Sequence, residues 1–104
     1  MTYKVEISHL ATIDLEKIIS YYHELNKSTA RKYYKNIMIR MKELKNFPEM
    51  GRIVPEFADI FSDKYRELIY ENFRIIYRIE NNVIKILRII DARMLLKIDY
   101  VDDI

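Results

Sequence analysis

From Ala11 onward the hydrophobic period of this chain changes once, and the change falls on its helix breakers: both prolines and the single glycine are Pro48, Pro55 and Gly51. Before that cluster apolar residues recur every three or four positions. After it they alternate or run together in short blocks. A stretch with a 3.6-residue period does not settle as a strand, nor one with a period of two as a helix. The chain therefore reads as helices followed by strands, the order of an α+β domain.

At the start, Tyr3, Val5 and Ile7 alternate with Lys4 and Glu6, the pattern of a half-buried strand. Ser8 can cap a helix in which Ala11, Leu15, Ile18, Tyr22 and Leu25 share one face. Asn26-Lys27 makes a turn, and Ser28 offers a second cap. Ala30, Tyr33, Ile37, Met41 and Leu44 then step by threes and fours until Phe47-Pro48 ends the run. Residues 48–64 form a connection with a short helical turn at 57–61. Three strands follow at 65–70, 73–79 and 83–90, broken at Glu71-Asn72 and Asn81-Asn82, and Asn tolerates the positive φ of a tight hairpin. The expected architecture is β-α-α-β-β-β, with a helical hairpin on one face of a mostly antiparallel, twisted sheet.

The length of 104 residues suits one domain, here 1–104, with 94–104 as a loose or short helical tail. No cysteine is present, which removes disulfides and thiolate metal sites and fits a reducing, cytoplasmic setting. No apolar stretch approaches the ~20 residues that span a bilayer, so no membrane partner is expected. Residues 1–52 carry ten basic and six acidic side chains (+4), residues 53–104 eight and ten (−2). The excess at Arg31, Lys32, Lys35, Arg40, Lys42 and Lys45 is either a solvated helix face or an attraction for phosphates or an acidic partner. His9 and His23 lack metal-ligand spacing, and neither a metal nor a cofactor is expected.

In the strand at 73–79, alternation puts Phe73, Ile75, Tyr77 and Ile79 under the helices and Arg74, Ile76 and Arg78 on the open side. Guanidinium groups over an apolar floor suit a phosphate backbone or an acidic protein segment. Cross-strand ion pairing with Glu67 or Glu71 accounts for the same residues equally well. Tyr22, Tyr33 and Tyr77 read as core, and Tyr21 and Tyr34 as partner contacts. Gly51 suits a turn conformation that a side chain would obstruct, while Arg52 either caps that turn or faces a phosphate.

The ordered set Phe47-Pro48-Glu49-Met50-Gly51-Arg52, Tyr65-Arg66-Glu67-Leu68, Arg74-Ile75-Ile76-Tyr77-Arg78-Ile79 and Ile86 to Met94 resembles the RelE/ParE superfamily of type II toxins. The resemblance covers residues 3–94. It implies a growth-inhibiting cytoplasmic protein neutralised by a cognate antitoxin and meeting promoter DNA only through the antitoxin complex. Two activities occur in the superfamily: messenger RNA cleavage on the ribosome, and poisoning of DNA gyrase without hydrolysis. By position, Arg74 matches the phosphate-contacting arginine of the nucleases, Arg93 the arginine of a terminal His-x-Arg, and Arg66 that of an Arg-Glu-Leu strand.

The chain departs from the nuclease pattern where acid and base should be. Asp91 stands in place of the histidine, and Tyr65 and Glu67 in place of lysines. RNA cleavage by internal transfer needs a base, an acid and cations for the developing charge. Arg74 and Arg93 supply the cations. Glu67 is the candidate base if the turn at 70–72 brings it to the Arg74 face, whereas a strict two-residue turn is expected to set Arg66 across from Tyr77. Tyr65 and Tyr100 are the only phenols to nominate as acid. The absence of that machinery favours the gyrase-directed reading, with the ribosome-dependent nuclease as the alternative. Arg52, Arg66, Arg78 and Asp91 are then RNA- or partner-binding candidates.

Overall fold

The computed structural model describes residues 3–101. Strand β1 (Lys4–Ile7) leads into helix α1 (His9–Leu25) and helix α2 (Lys27–Glu43). A two-residue strand β2 (Arg52–Ile53), a 3₁₀ turn (Pro55–Phe57) and helix α3 (Ala58–Phe61) precede the strands β3 (Tyr65–Tyr70), β4 (Phe73–Glu80) and β5 (Val83–Asp91). A short helix α4 (Ile98–Val101) comes last. The sheet order is β1-β5-β4-β3-β2, with β1 parallel to β5 and every other pairing antiparallel. This is the expected architecture with one strand added, because β2 is too short to show an alternation.

Capping residues set the hairpin. Ser8 Oγ accepts from the Ala11 amide at 3.0 Å. Asn26, rather than Ser28, starts α2: its Oδ1 accepts from the Thr29 amide at 3.1 Å while its own amide donates to the Tyr22 carbonyl at 2.7 Å. One residue thus closes α1 and opens α2, leaving Ser28 inside the helix. Both strand turns are two residues long, and their first residues, Glu71 and Asn81, take φ of 51° and 57°.

The hairpin covers one face of the sheet. Leu15, Ile37 and Met41 meet Ile75, Tyr77 and Ile86 there, in the first of two apolar clusters. The other face, expected to be open, is covered as well. Val54, Phe57, Leu96 and Val101 close over Ile76, Leu87 and Ile90. The physical reason is that β5 is apolar on both sides from Ile86 to Ile90, so the segments before β3 and after β5 fold back to bury its second face. From 94 to 101 the tail takes its short helical form and packs; residues 102–104 lie outside the described residues.

Gly51 is required for closeness and not for a turn conformation, since its φ is negative. A Cβ there would lie 2.6 Å from the Glu67 carbonyl oxygen and 2.7 Å from Tyr77 Oη. The Gly51 amide donates to Tyr77 Oη at 3.0 Å, and that hydroxyl donates to the Pro48 carbonyl at 2.7 Å. Burial pushes the Tyr77 hydroxyl's pKa up, which keeps it a neutral donor. The connection after α2 is pinned to the middle of β4 through this one phenol.

Candidate functional site

The register of β3 on β4 decides what meets Arg74. With a two-residue turn, Arg66 pairs with Tyr77 and Glu67 with Ile76. The two arrangements set against each other from sequence therefore occur together: Arg66 lies across from Tyr77, and Glu67 shares the face of Arg74 and Ile76. Glu67 Oε1 accepts from Arg74 Nε at 2.6 Å, and its Oε2 accepts from Arg52 Nε at 2.6 Å. Arg52 keeps its side chain 60% exposed, and β2 pairing sets it directly opposite Glu67.

Three further donors of Arg74 are also engaged. Its Nη1 and Nη2 each donate at 2.7 Å to the two oxygens of Glu56, and Nη1 donates to the Met94 carbonyl at 2.9 Å. Glu56 Oε2 also accepts from the Leu96 amide at 2.7 Å. Arg74 is only 5% exposed and Glu67 1%. The fork of Arg74 holds Glu56 ionised, with a pKa down at about 2, aided by the Leu96 amide and opposed by partial burial. In return Glu56 raises the pKa of Arg74. Two carboxylates and two guanidiniums thus form a closed network of zero formal charge.

This arrangement corrects the reading of Arg74 and Arg78 as an open cationic surface and realises the cross-strand pairing with Glu67. Arg74 spends its donors inside the protein. Glu67 is buried with each oxygen on an arginine. Arg78, four residues along β4, lies 3.1 Å from Glu80 and is mostly covered. Arg66 is on the opposite face, donating to the Gly51 carbonyl at 2.9 Å and lying 3.5 Å from Glu49.

Arg93 remains exposed, at 87% of its side chain. Its guanidinium donates to Asp91 Oδ1 and Oδ2 at 3.0 and 2.9 Å, and its amide donates to Oδ1 at 2.8 Å. Those bonds hold Asp91 ionised, with a pKa of about 2. A group so acidic carries no proton at neutral pH and cannot serve as the missing acid. The nominated phenols lie elsewhere: Tyr65 is buried against Phe57 and Phe61, and Tyr100 lies over the Arg88 guanidinium, 5.7 Å from its ring centroid.

An open depression of ≈ 560 Å³ is lined by Arg52, Glu56, Arg74 and Arg93 with Ile69 and Leu95. Sequence reasoning found its arginines and missed Glu56, the residue that holds the network together. The available signal was an acidic side chain beside Pro55, in a segment that must cross a face bearing two strand arginines. Among the tyrosines, Tyr22 and Tyr33 stack at 4.3 Å as expected of core residues, while Tyr21 and Tyr34 are exposed.

A helical hairpin packs on a five-stranded sheet, with the loop after α2 pinned to the central strand β4. The sequence profile described as the ParE toxin of the type II toxin-antitoxin system parDE matches residues 5–96, and the chain belongs to that family. A solved chain of the chromosomal ParDE toxin-antitoxin system from P. aeruginosa is similar, with a TM-score of 0.72 and 24% identity. The match covers 88% of this chain and 98% of that one. A chain of the RelBE2 toxin-antitoxin complex from Mycobacterium tuberculosis superposes with a TM-score of 0.56 at 20% identity, over 89% of this chain and 100% of that one. A search of curated proteins finds no match.

Proposed function

We propose that this ParE-family toxin arrests growth in the cytoplasm by acting on DNA gyrase, without cutting RNA itself, and that a cognate antitoxin neutralises it. One observation carries the choice of target: Arg74 and Glu67, the cation and base that cleavage would use, are bonded to Glu56, Arg52 and each other. Cleavage would first require breaking a bidentate ion pair. A gyrase-directed toxin needs only a stable surface. Promoter DNA is met through the antitoxin complex, and no cofactor enters.

Expression without a partner, with messenger RNA 5′ ends and DNA breaks mapped in the same culture, tests this reading. The expected outcome is replication-linked DNA breaks with intact messenger RNA. Codon-phased RNA cuts that disappear in Arg93→Ala would overturn it in favour of a ribosome-dependent nuclease. Arg93 is the residue to change because it is exposed and its loss is expected to leave the fold intact.

A further inference from the structure

Helix α2 holds more than the whole positive charge of the protein. Lys27, Arg31, Lys32, Lys35, Arg40 and Lys42 against Glu43 give it +5, whereas the chain carries +2, so everything else sums to −3. No acidic residue stands between Lys27 and Lys42. Ala30, Ile37 and Met41 face the sheet, and the side turned away presents Lys27, Arg31, Lys32, Lys35 and Lys42, all exposed. Among the described residues none of these five has an ion pair or a side-chain hydrogen bond. Arg40, on another arc of the helix, lies 3.5 Å from Glu43.

This arrangement works against the helix that carries it. Lys27 and Arg31, and again Arg31 and Lys35, are like charges four residues apart, which repel across one turn. Lys27 also stands at the N-terminal end, where the helix dipole favours an acid, and the first turn holds none. Helix α1, of the same length, is charged the other way: Asp14, Glu16 and Glu24 against Lys17 give −2. Solubility needs charges of either sign and does not call for one helix to collect a single sign at the expense of its own stability.

We infer that the outward face of α2 is a phosphate-binding surface for duplex DNA, which it grips by the backbone without regard to sequence. From Lys27 to Lys42 the cations extend over about 22 Å of helix. A duplex carries one negative charge per about 1.7 Å of its axis, so it offers a phosphate to each of them. An acidic protein segment suits the surface less well, because it needs an apolar seam and only Ile39 is apolar on that arc. The apolar groove beside the arc, with Tyr34 and Met38, is bordered by Glu16 of the acidic α1, which repels such a segment. Backbone contacts carry no sequence information, so the choice of promoter stays with the antitoxin.

Fluorescence anisotropy of a short labelled duplex of random sequence, titrated with the full-length chain at rising salt, tests this. Neutralising about five phosphates gives an expected log–log slope of about −4.5, or a loss of about 500-fold in affinity between 50 and 200 mM salt. Arg31→Gln combined with Lys35→Gln is expected to bring the slope to about −2.7 and the loss to about 40-fold. Lys64→Gln combined with Lys97→Gln removes the same charge away from α2 and is expected to leave both at wild-type values. Circular dichroism is expected to be unchanged in both variants, because all four side chains are exposed. Absence of binding at low salt, a slope that the α2 pair does not change, or a Lys64 and Lys97 pair that is equally damaging would each overturn the inference. Competition in which polyglutamate or single-stranded RNA binds more tightly than the duplex would overturn it too. The readout is binding alone, so it stands or falls separately from the gyrase-directed reading, which the mapping of RNA ends and DNA breaks tests.

Discussion

The two faces of the sheet are held by different physics, although β4 contributes to both. Under the hairpin, Ile75 and Tyr77 are buried among apolar side chains, the Tyr77 hydroxyl is met by Pro48 and Gly51, and Asp14 of α1 forms a bidentate, part-buried ion pair with Arg88 of β5. On the opposite face, Ile76 sits in a smaller cluster beside Arg74, whose charge needs Glu56 and Glu67 to be tolerated at all. Apolar burial is non-directional and survives small rearrangements. A buried ion network is stable only when complete, since removing one partner strands the others. The second face is therefore the one that a single charge change can undo.

Predictions follow in decreasing size. Replacing Arg74 by Ala leaves Glu67 and Glu56 facing each other's charge in a covered site and is expected to cost about 3 to 5 kcal/mol in chemical denaturation. A loss below about 1 kcal/mol would show that the network contributes little beyond its apolar neighbours. Acid should act on the same face. The Glu56 pKa falls from 4.5 unfolded to about 2 folded, so its contribution is complete above pH 4.5 and disappears as pH falls through 2. That amounts to about 3 kcal/mol, and the corresponding drop in melting temperature should be smaller in Glu56→Gln.

On the hairpin face, Gly51→Ala forces its Cβ into Tyr77 Oη and the Glu67 carbonyl and is expected to cost about 2 kcal/mol, measured in the same denaturation series. If Gly51→Ala were neutral, the loop would be free to move away from β4, and the pin through Tyr77 would not exist. The smallest effect belongs to Arg93→Ala. Its exposed pair with Asp91 should leave the unfolding midpoint within about 0.5 kcal/mol of wild type. That near-silence is what makes it the fair probe of activity.

Legibility in the sequence followed the same division. The hairpin face could be read because its signal is periodic: the helical stripes and the alternation of β4 each state which side chains turn inward. The second face could not, because its cover comes from aperiodic pieces, Pro55–Phe57 and the segment ending in Val101, that have no repeat to reveal them. The paired apolar residues Ile86-Leu87 and Ile89-Ile90 were the one overlooked sign that β5 is buried on both sides. For the site, residue types were legible and partners were not. Arg74 was found, but whether it served a phosphate or Glu67 depended on the register of β3, which the two-residue turn at Glu71-Asn72 settled. Glu56 offered only its acidic type beside Pro55, because its bonds to Arg74 exist only after the chain has crossed the sheet.

The pairing of β1 with β5 also governs the order in which the molecule can be assembled. Ile7 lies beside Ile86, so the first strand of the chain waits for nearly the last one before it has a neighbour. The hairpin, bounded at Asn26, can form early from local contacts alone. The sheet beneath it cannot close until β5 has been made, and its second face stays bare until Leu96 and Val101 arrive. The Arg74 network thus comes into being only once the residues up to Leu96 have joined the sheet.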